Sequence, residues 1–364
     1  MQHNPDIALQ PQPAPGAIAD AARASQLTVA VWLWSLAALV FLMVIVGGAT
    51  RLTESGLSIT EWKPVTGVIP PLSEAQWQAE FENYKKIPQY AALFPGMDMH
   101  GFKFIFFFEW AHRLLGRLIG IAMVAPMAFF WARGLLPAGL KPKLVGILAL
   151  GSLQGAAGWW MVKSGLSERL EVAPERLAIH LLLAAVTFAA LVWLAASLGT
   201  RGPELARRQL PGLKAFAWAT MIFVIVQIGL GALVAGLRAG RAFNTWPLID
   251  GYFWPPADKL MLLTPLWRNF LDNLLLVQFQ HRLAAYALVA LALAQALYAR
   301  FVAAGSRAAR RATAFFWLAG SQAAIGILTL VLVVPLWAGL LHQAFAMIVL
   351  AMAVAHAQAL VRAR

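Results

Sequence analysis

The sequence predicts an all-α membrane protein whose eight transmembrane helices form two tandem four-helix bundles, related by a pseudo-two-fold axis along the membrane normal. Composition is the first reason: of the 364 residues, 60% are hydrophobic and only 12% are charged, whereas a soluble domain carries roughly a quarter charged residues. The second reason is an internal repeat, because motifs of the first half of the chain recur in the same order in the second half.

Eight apolar stretches are long enough to cross a bilayer as helices. We predict these helices at 28–49, 104–130, 143–163, 177–199, 213–236, 274–299, 312–335 and 337–360. The polar, proline-rich residues 1–27 are expected to be a cytoplasmic tail rather than a cleavable signal, because the apolar run after them has full length and no small-residue cleavage site. Residues 28–199 then form an N-terminal half, 200–212 a cytoplasmic linker and 213–364 a C-terminal half.

The net charge of +13 is distributed unevenly along the chain. The tails and the loops after helices two, four and six hold fourteen Lys and Arg residues against Asp6, Asp20 and Glu204. This asymmetry is typical of cytoplasmic segments and predicts that both termini are cytoplasmic. It also argues against nucleic acid as a partner. The chain has no cysteine, which excludes disulfides and thiolate metal ligands.

The repeat begins in the loops that follow helices one and five. Gly56, Trp62 and Gly67 recur with the same spacing as Gly240, Trp246 and Gly251. Later positions match in the same order, and these pairs are His112-Arg113 with His281-Arg282, Gln154 with Gln322, Gly158 with Gly326, and His180 with His342. Since each half has an even number of helices, both halves have the same orientation in the membrane.

Four of the seven histidines lie on even-numbered helices at one predicted depth, near the outer leaflet. These are His112, His180, His281 and His342. Two imidazoles on facing helices can supply both axial ligands of a haem iron. Interhelical hydrogen bonding is the alternative for a single histidine, and zinc or copper would be under-coordinated by two histidines. We expect His3, His100 and His356 to be solvated or incidental.

Charged neighbours distinguish the two halves. Arg113 and Arg282 are candidates to pair with haem propionates, or alternatively to extend towards the outer interface. Glu109 stands where the second half has neutral Gln278, and an ionisable group in a membrane helix is expensive and typically functional. An ion pair from Glu109 to Arg113 is the structural alternative. Arg117 also has a neutral counterpart, Tyr286, and its role stays open. The charged half therefore reads as the reaction site and the neutral half as a permanent cofactor site.

The residues Gly47-Gly48-Ala49-Thr50-Arg51-Leu52-Thr53-Glu54-Ser55-Gly56-Leu57-Ser58, followed by Glu61-Trp62-Lys63-Pro64 and Gly67, closely resemble the first outer loop of haem A synthases. The histidine motifs and the duplicated eight-helix plan resemble that family as well, over nearly the whole chain from about residue 30. Because it has no cysteine, the chain is similar to the branch found in proteobacteria and mitochondria.

The resemblance implies an oxidoreductase of the inner (plasma) membrane that oxidises the C8 methyl group of haem O to the formyl group of haem A by successive hydroxylations, for cytochrome oxidase. It implies that His112 and His180, with Arg113, bind substrate haem O, that His281 and His342 ligate a haem b cofactor, and that Glu109 is catalytic. The implied partners are the haem O synthase and an electron donor, and a homo-oligomer is compatible with the sequence. A bis-haem electron carrier and a transporter are the alternatives, although a carrier should place its haems at two depths.

Overall fold

The computed structural model describes residues 15–166, 169–199 and 211–361. Within these residues, eight helices are long and apolar enough to cross a membrane. They are α1 (Pro15–Leu52), α4 (Met99–Ala132), α5 (Leu140–Gly165), α6 (Pro174–Leu198), α7 (Pro211–Gly236), α11 (Leu274–Val302), α12 (Arg307–Val331) and α13 (Leu336–Val361). Short helices occupy the loops, namely α2 (Glu74–Lys85), α3 (Pro88–Leu93), α8 (Ala239–Ala242), α9 (Ala257–Leu260) and α10 (Asn269–Asp272). The prediction of an all-α protein with eight membrane helices is therefore confirmed.

Most predicted helix ends differ from the observed ones by up to five residues, and the start of the first helix differs by more. The first helix begins at Pro15 rather than at residue 28, so part of the expected tail is helical, and residues 1–14 lie outside the described chain. The seventh membrane helix ends at Val331 instead of residue 335. Val333 and Val334 have φ angles of 62° and 56°, a left-handed conformation that ends a helix. Most of the predicted linker, residues 200–210, also lies outside the described chain.

The long helices of each half form a closed ring. In the first half α1 contacts α4, α4 contacts α5, α5 contacts α6, and α6 returns to α1. The second half repeats this order with α7, α11, α12 and α13. The halves meet where α6 packs on α7 and α13, and where α1 packs on α13. The helices that carry paired histidines are thus diagonal within each ring, while the pseudo-two-fold axis stays a prediction.

The loop after α1 folds back onto the beginning of α4. A capping box between Ser73 and Gln76 starts α2, whose Trp77 and Phe81 are buried against Phe102 at the start of α4. Aromatic pairs of this kind contribute about 0.5–1.5 kcal/mol beyond their buried area. This loop is therefore a packed layer at the end of the first bundle rather than a solvated connection.

An ion-pair cluster joins the two halves at the ends of α1 and α7. Glu54 and Arg238 occupy equivalent positions in the repeat, both have left-handed backbones with φ of 58° and 52°, and their side chains pair at 2.6 Å. Arg51 pairs with Glu171 at 2.5 Å and donates to the carbonyl oxygen of Ala235 at 3.1 Å. The ends of the two helices, from which both outer loops start, are therefore fixed to each other.

Candidate functional site: two histidine pairs

Each ring of helices brings two of the predicted histidines into its interior. His112 on α4 and His180 on α6 are close enough to interact electrostatically, as are His281 on α11 and His342 on α13. Since these helices are diagonal, each pair of imidazoles faces across a bundle. Among the described residues no three His, Cys, Asp or Glu side chains group into a metal site. A pair suits an iron that arrives with four macrocycle nitrogens and needs only two axial ligands.

Every one of these four imidazoles lies against a glycine of an adjacent helix. The pairs are Gly47 with His112, Gly158 with His180, Gly231 with His281, and Gly326 with His342. A Cβ atom on the last three glycines would lie 2.9, 3.0 and 2.8 Å from the Cε1 atom of its histidine, and on Gly47 it would lie 3.2 Å from Nε2. A Cβ atom at these distances would require the ring to move, most of all at Gly158 and Gly326. The four glycines therefore form cradles for the rings, and this arrangement fits two haems.

Glutamines approach three of the four rings. The amide Nε2 atoms of Gln154, Gln227 and Gln322 lie 3.1, 3.0 and 3.2 Å from Nδ1 of His180, His281 and His342. Each glutamine precedes the cradle glycine of its helix by four residues, and therefore lies on the same helix face. Sequence comparison of the halves found Gln154 and Gln322 but missed Gln227. The recurring four-residue spacing from Gln227 to Gly231 was the signal that could have found it.

Glu109 is 2% exposed and all four of its acceptor positions are filled. Its Oε2 atom accepts from the Ser58 hydroxyl and the Ile59 amide, both at 2.8 Å. Its Oε1 atom accepts from Nη2 and Nε of Arg113 at 2.6 and 3.1 Å. One of these donors, Arg113, carries a positive charge, so its two hydrogen bonds to the carboxylate are charge-assisted. The ion pair considered as the structural alternative is thus present, one helical turn before His112.

The second half repeats this arrangement without the charge. Gln278 accepts from Arg282 Nε at 3.2 Å and donates to the carbonyl oxygen of Phe243, also at 3.2 Å. Phe243 is the repeat counterpart of Ile59, and Ala242 stands at the position of Ser58. The carboxylate and the hydroxyl that bonds to it therefore occur together in the first half and are both missing from the second.

The arginines beside the histidines hold the outer loops. Arg113 donates to the carbonyl oxygens of Ile59 and Glu61 at 2.8 and 3.1 Å, and Arg282 donates to those of Thr245 and Leu248 at 2.8 and 3.1 Å. Arg117 donates to Lys63 and Pro64 in the same manner. A loop-anchoring role follows from these bonds, whereas contact with haem propionates stays a prediction.

The other histidines lie apart from this site. His100 is exposed, as expected, and His3 is outside the described residues. His356 is not solvated, because it is only 1% exposed. Neither of its ring nitrogens has a hydrogen-bond partner among the described residues.

Comparison with known proteins agrees with this architecture. The family model COX15-CtaA, described as cytochrome oxidase assembly protein, matches residues 30–354. A haem A synthase of Beijerinckia indica is 67% identical over 336 residues, 92% of this chain and 94% of its own length. Proteins of the same name from Methylobacterium sp. strain 4-46 and Bradyrhizobium diazoefficiens are 54% and 56% identical, and the alignments cover 93% and 89% of both chains. The chain therefore belongs to the COX15-CtaA family of cytochrome oxidase assembly proteins.

Proposed function

We propose that the chain is a haem A synthase, an oxidoreductase that converts the C8 methyl group of haem O to the formyl group of haem A by successive hydroxylations. The observation that carries the proposal is the pair of glycine-cradled histidine sites, of which only one has a carboxylate beside its ligand. The names of the relatives favour a synthase over a bis-haem electron carrier, the alternative from another class.

The two sites are assigned by their charge. His281 and His342 would ligate a haem b cofactor, because the neutral Gln278 beside them offers no acid or base for chemistry on the ring edge. His112 and His180 would hold the substrate haem O beside Glu109. When bound, haem b supplies one-electron redox chemistry to the reaction. Both sites would lie near the outer leaflet, with the two termini in the cytoplasm.

Glu109 is the proposed catalytic carboxylate. A carboxyl group can accept or donate a proton in a reaction, and four donors hold this one in place. Among these donors only the Ser58 hydroxyl can reverse its role, since it both donates and accepts. When Glu109 takes up a proton, the Ser58 hydroxyl can therefore turn to accept a hydrogen bond from it, while the bonds to Arg113 stay in place. Arg113 and the Ile59 amide hold the carboxylate in place on the helix face that carries His112.

The test is to identify by mass the haems extracted from the purified protein. We expect haem b together with haem O or haem A. Replacing His281 or His342 by leucine should remove haem b and abolish haem A formation. Replacing His112 or His180 should remove the substrate haem but leave haem b bound. Haem b at unchanged stoichiometry in the His281 and His342 variants would refute the assignment. Two haems b with no trace of haem O or haem A would favour the electron carrier.

A further inference from the structure

The glutamines beside the histidines have a feature that their hydrogen bonds do not explain. The amide oxygens Oε1 of Gln154, Gln227 and Gln322 are all buried, and none has a hydrogen-bond partner among the described residues. A buried acceptor without a partner is destabilising. Three such groups at equivalent places indicate a function rather than three separate packing defects.

An amide can present either end to a neighbouring ring nitrogen. With the amide Nε2 beside Nδ1, as in this structure, a neutral ring accepts at Nδ1 only in the tautomer that carries its proton on the ring Nε2 atom. The amide of Gln154 also lies 3.3 Å from the ring Nε2 atom of His180. A histidine that ligates iron through Nε2 carries its proton on Nδ1 instead. Rotation of the amide then brings Oε1 to that proton. Gln227 and Gln322 also donate to the carbonyl oxygens of His281 and His342, and rotation of the amide removes these two bonds. Each carbonyl oxygen can still accept from the backbone N–H four residues later in its helix.

His112 lacks this partner. The position four residues before its cradle glycine is Met43. The Met43 methyl group lies close to α4, because a Cβ atom added to Gly116 would be 3.1 Å from it. No hydrogen bond reaches the His112 ring from the described residues. The ring is also turned differently, because it presents Nε2 to its glycine where the other three present Cε1.

We infer that Gln154, Gln227 and Gln322 are positioning residues that fix His180, His281 and His342 as iron ligands through Oε1, and that His112, without such a residue, is the exchangeable ligand of the substrate site. This rests on the proposed function. A cofactor haem stays bound through many turnovers, so both of its ligands have an oriented partner. A substrate haem must enter and leave, and one unsupported ligand permits that exchange. Outer partners of this kind typically change metal affinity about 10- to 100-fold.

The test uses the purified full-length protein and measures transfer of its haem b to excess apomyoglobin, together with the haem absorption spectrum and midpoint potential. Gln227→Met, which copies the residue of the first half, should release haem b about 10- to 100-fold faster. Gln227→Glu retains an acceptor oxygen and loses the amide donor. It should keep haem b and lower its midpoint potential, because a carboxylate at Nδ1–H makes the ligand more basic. If the glutamine only supported the helix by donating to the His281 carbonyl, the glutamate variant would instead resemble the methionine variant.

Gln295→Met is the matched control. Gln295 lies on α11 with His281, is fully buried, and has no hydrogen-bond partner among the described residues, but it lies away from the four rings. Its replacement should leave haem transfer and midpoint potential unchanged. Release from Gln227→Met at the rate of the unaltered protein, or equal effects of Gln227→Met and Gln295→Met, would overturn the inference.

The reciprocal variant Met43→Gln adds the missing partner to the first half. Protein loaded with haem O should then release it about 10-fold more slowly, and its haem should become more completely six-coordinate and low-spin. An unchanged release rate with a correctly folded protein would contradict the inference for His112. Absence of haem from the unaltered protein would instead contradict the proposed function, and this is established before any variant is compared.

Discussion

Replacing Glu109 by glutamine separates a catalytic carboxylate from an anchor for the outer loop. The change keeps the shape of the side chain and one acceptor oxygen, which can still accept from Arg113. The other oxygen becomes an NH₂ group that faces the Ser58 hydroxyl and the Ile59 amide, each 2.8 Å from Oε2 in the native protein. The Ser58 hydroxyl can rotate and accept a hydrogen bond from this NH₂ group. The Ile59 N–H cannot, so two donors would face each other there.

The structural cost of this variant can be bounded. An unpartnered buried amide costs about 1–3 kcal/mol. Removing one partner of a buried ion pair costs about 3–5 kcal/mol, but Arg113 is 16% exposed and keeps two carbonyl acceptors, so its contribution should fall below that range. The sum, at most about 6 kcal/mol, reaches only the lower end of the typical stability of about 5–15 kcal/mol. We therefore expect a folded protein in the membrane.

The catalytic effect should be much larger than the structural one. Positioned acid–base groups contribute roughly 10²–10⁴-fold to a chemical step. Glu109→Gln should therefore bind haem b normally, while haem A falls about 100-fold or more and haem O or its hydroxymethyl intermediate accumulates. The assay is the mass of haems extracted from cells that express each variant, normalised to haem b.

Two controls decide the interpretation. Ser58→Ala removes one donor to Glu109 and copies Ala242 of the second half, so it loosens the loop but keeps the carboxylate. Haem A formation should therefore fall less than 10-fold, which is below the contribution of a positioned acid–base group. Gln278→Glu should perturb the cofactor site without creating a second reaction site. Haem A formation in Glu109→Gln near the native rate, or an equal loss in Ser58→Ala, would refute a catalytic Glu109 and leave it as a loop anchor.

Two further predictions concern the cradles and the topology. Gly326→Ala places a Cβ 2.8 Å from the His342 ring and should abolish haem b binding. The control Gly320→Ala on the same helix has open space around its Cβ and should raise stability by about 0.5–1 kcal/mol. Equal haem content in both variants would contradict the role of Gly326 as a cradle. A periplasmic reporter fused after Lys86 should be active and one after Arg208 inactive, as the distribution of basic residues requires, and the reverse pattern would invert the orientation.

Much of the fold could be predicted because membrane helices follow from composition and length. Hydropathy does not report backbone conformation, however, so the apolar Val333 and Val334 were included in a helix although their left-handed angles place them in a turn. The packing of Trp77 and Phe81 against Phe102 also could not be predicted, because contacts between a loop and a distant helix leave no periodic signal in one chain.

The histidine positions were predictable for a different reason: the repeat supplied an internal comparison. The same comparison also missed Gln227, because its counterpart is Met43 and the mismatch involves no ionisable side chain, unlike that of Glu109 with Gln278. His356 has no counterpart in the repeat, and its burial depends on the tertiary packing of α13. Positions that differ between the halves therefore required the structure to show what each side chain contacts.

The differences between the halves form a physically coherent set. The second half has only neutral residues at these positions, namely Gln278, Ala242 and Gln227, and Gln227 approaches the ring of His281. Such an environment favours a macrocycle that stays bound in one position. In the first half, Glu109 stands at the position of Gln278 and adds an ionisable group, and Ser58 stands at the position of Ala242 and adds a hydroxyl that can donate or accept. Met43 stands at the position of Gln227, so the ring of His112 has no glutamine beside it. Each change weakens permanent binding or adds proton chemistry, and none would help a haem that only carries electrons. Such a combination favours a reaction site in the first half, because independent drift of a duplicated cofactor site would not be expected to change the acid, its donor and the ligand support together.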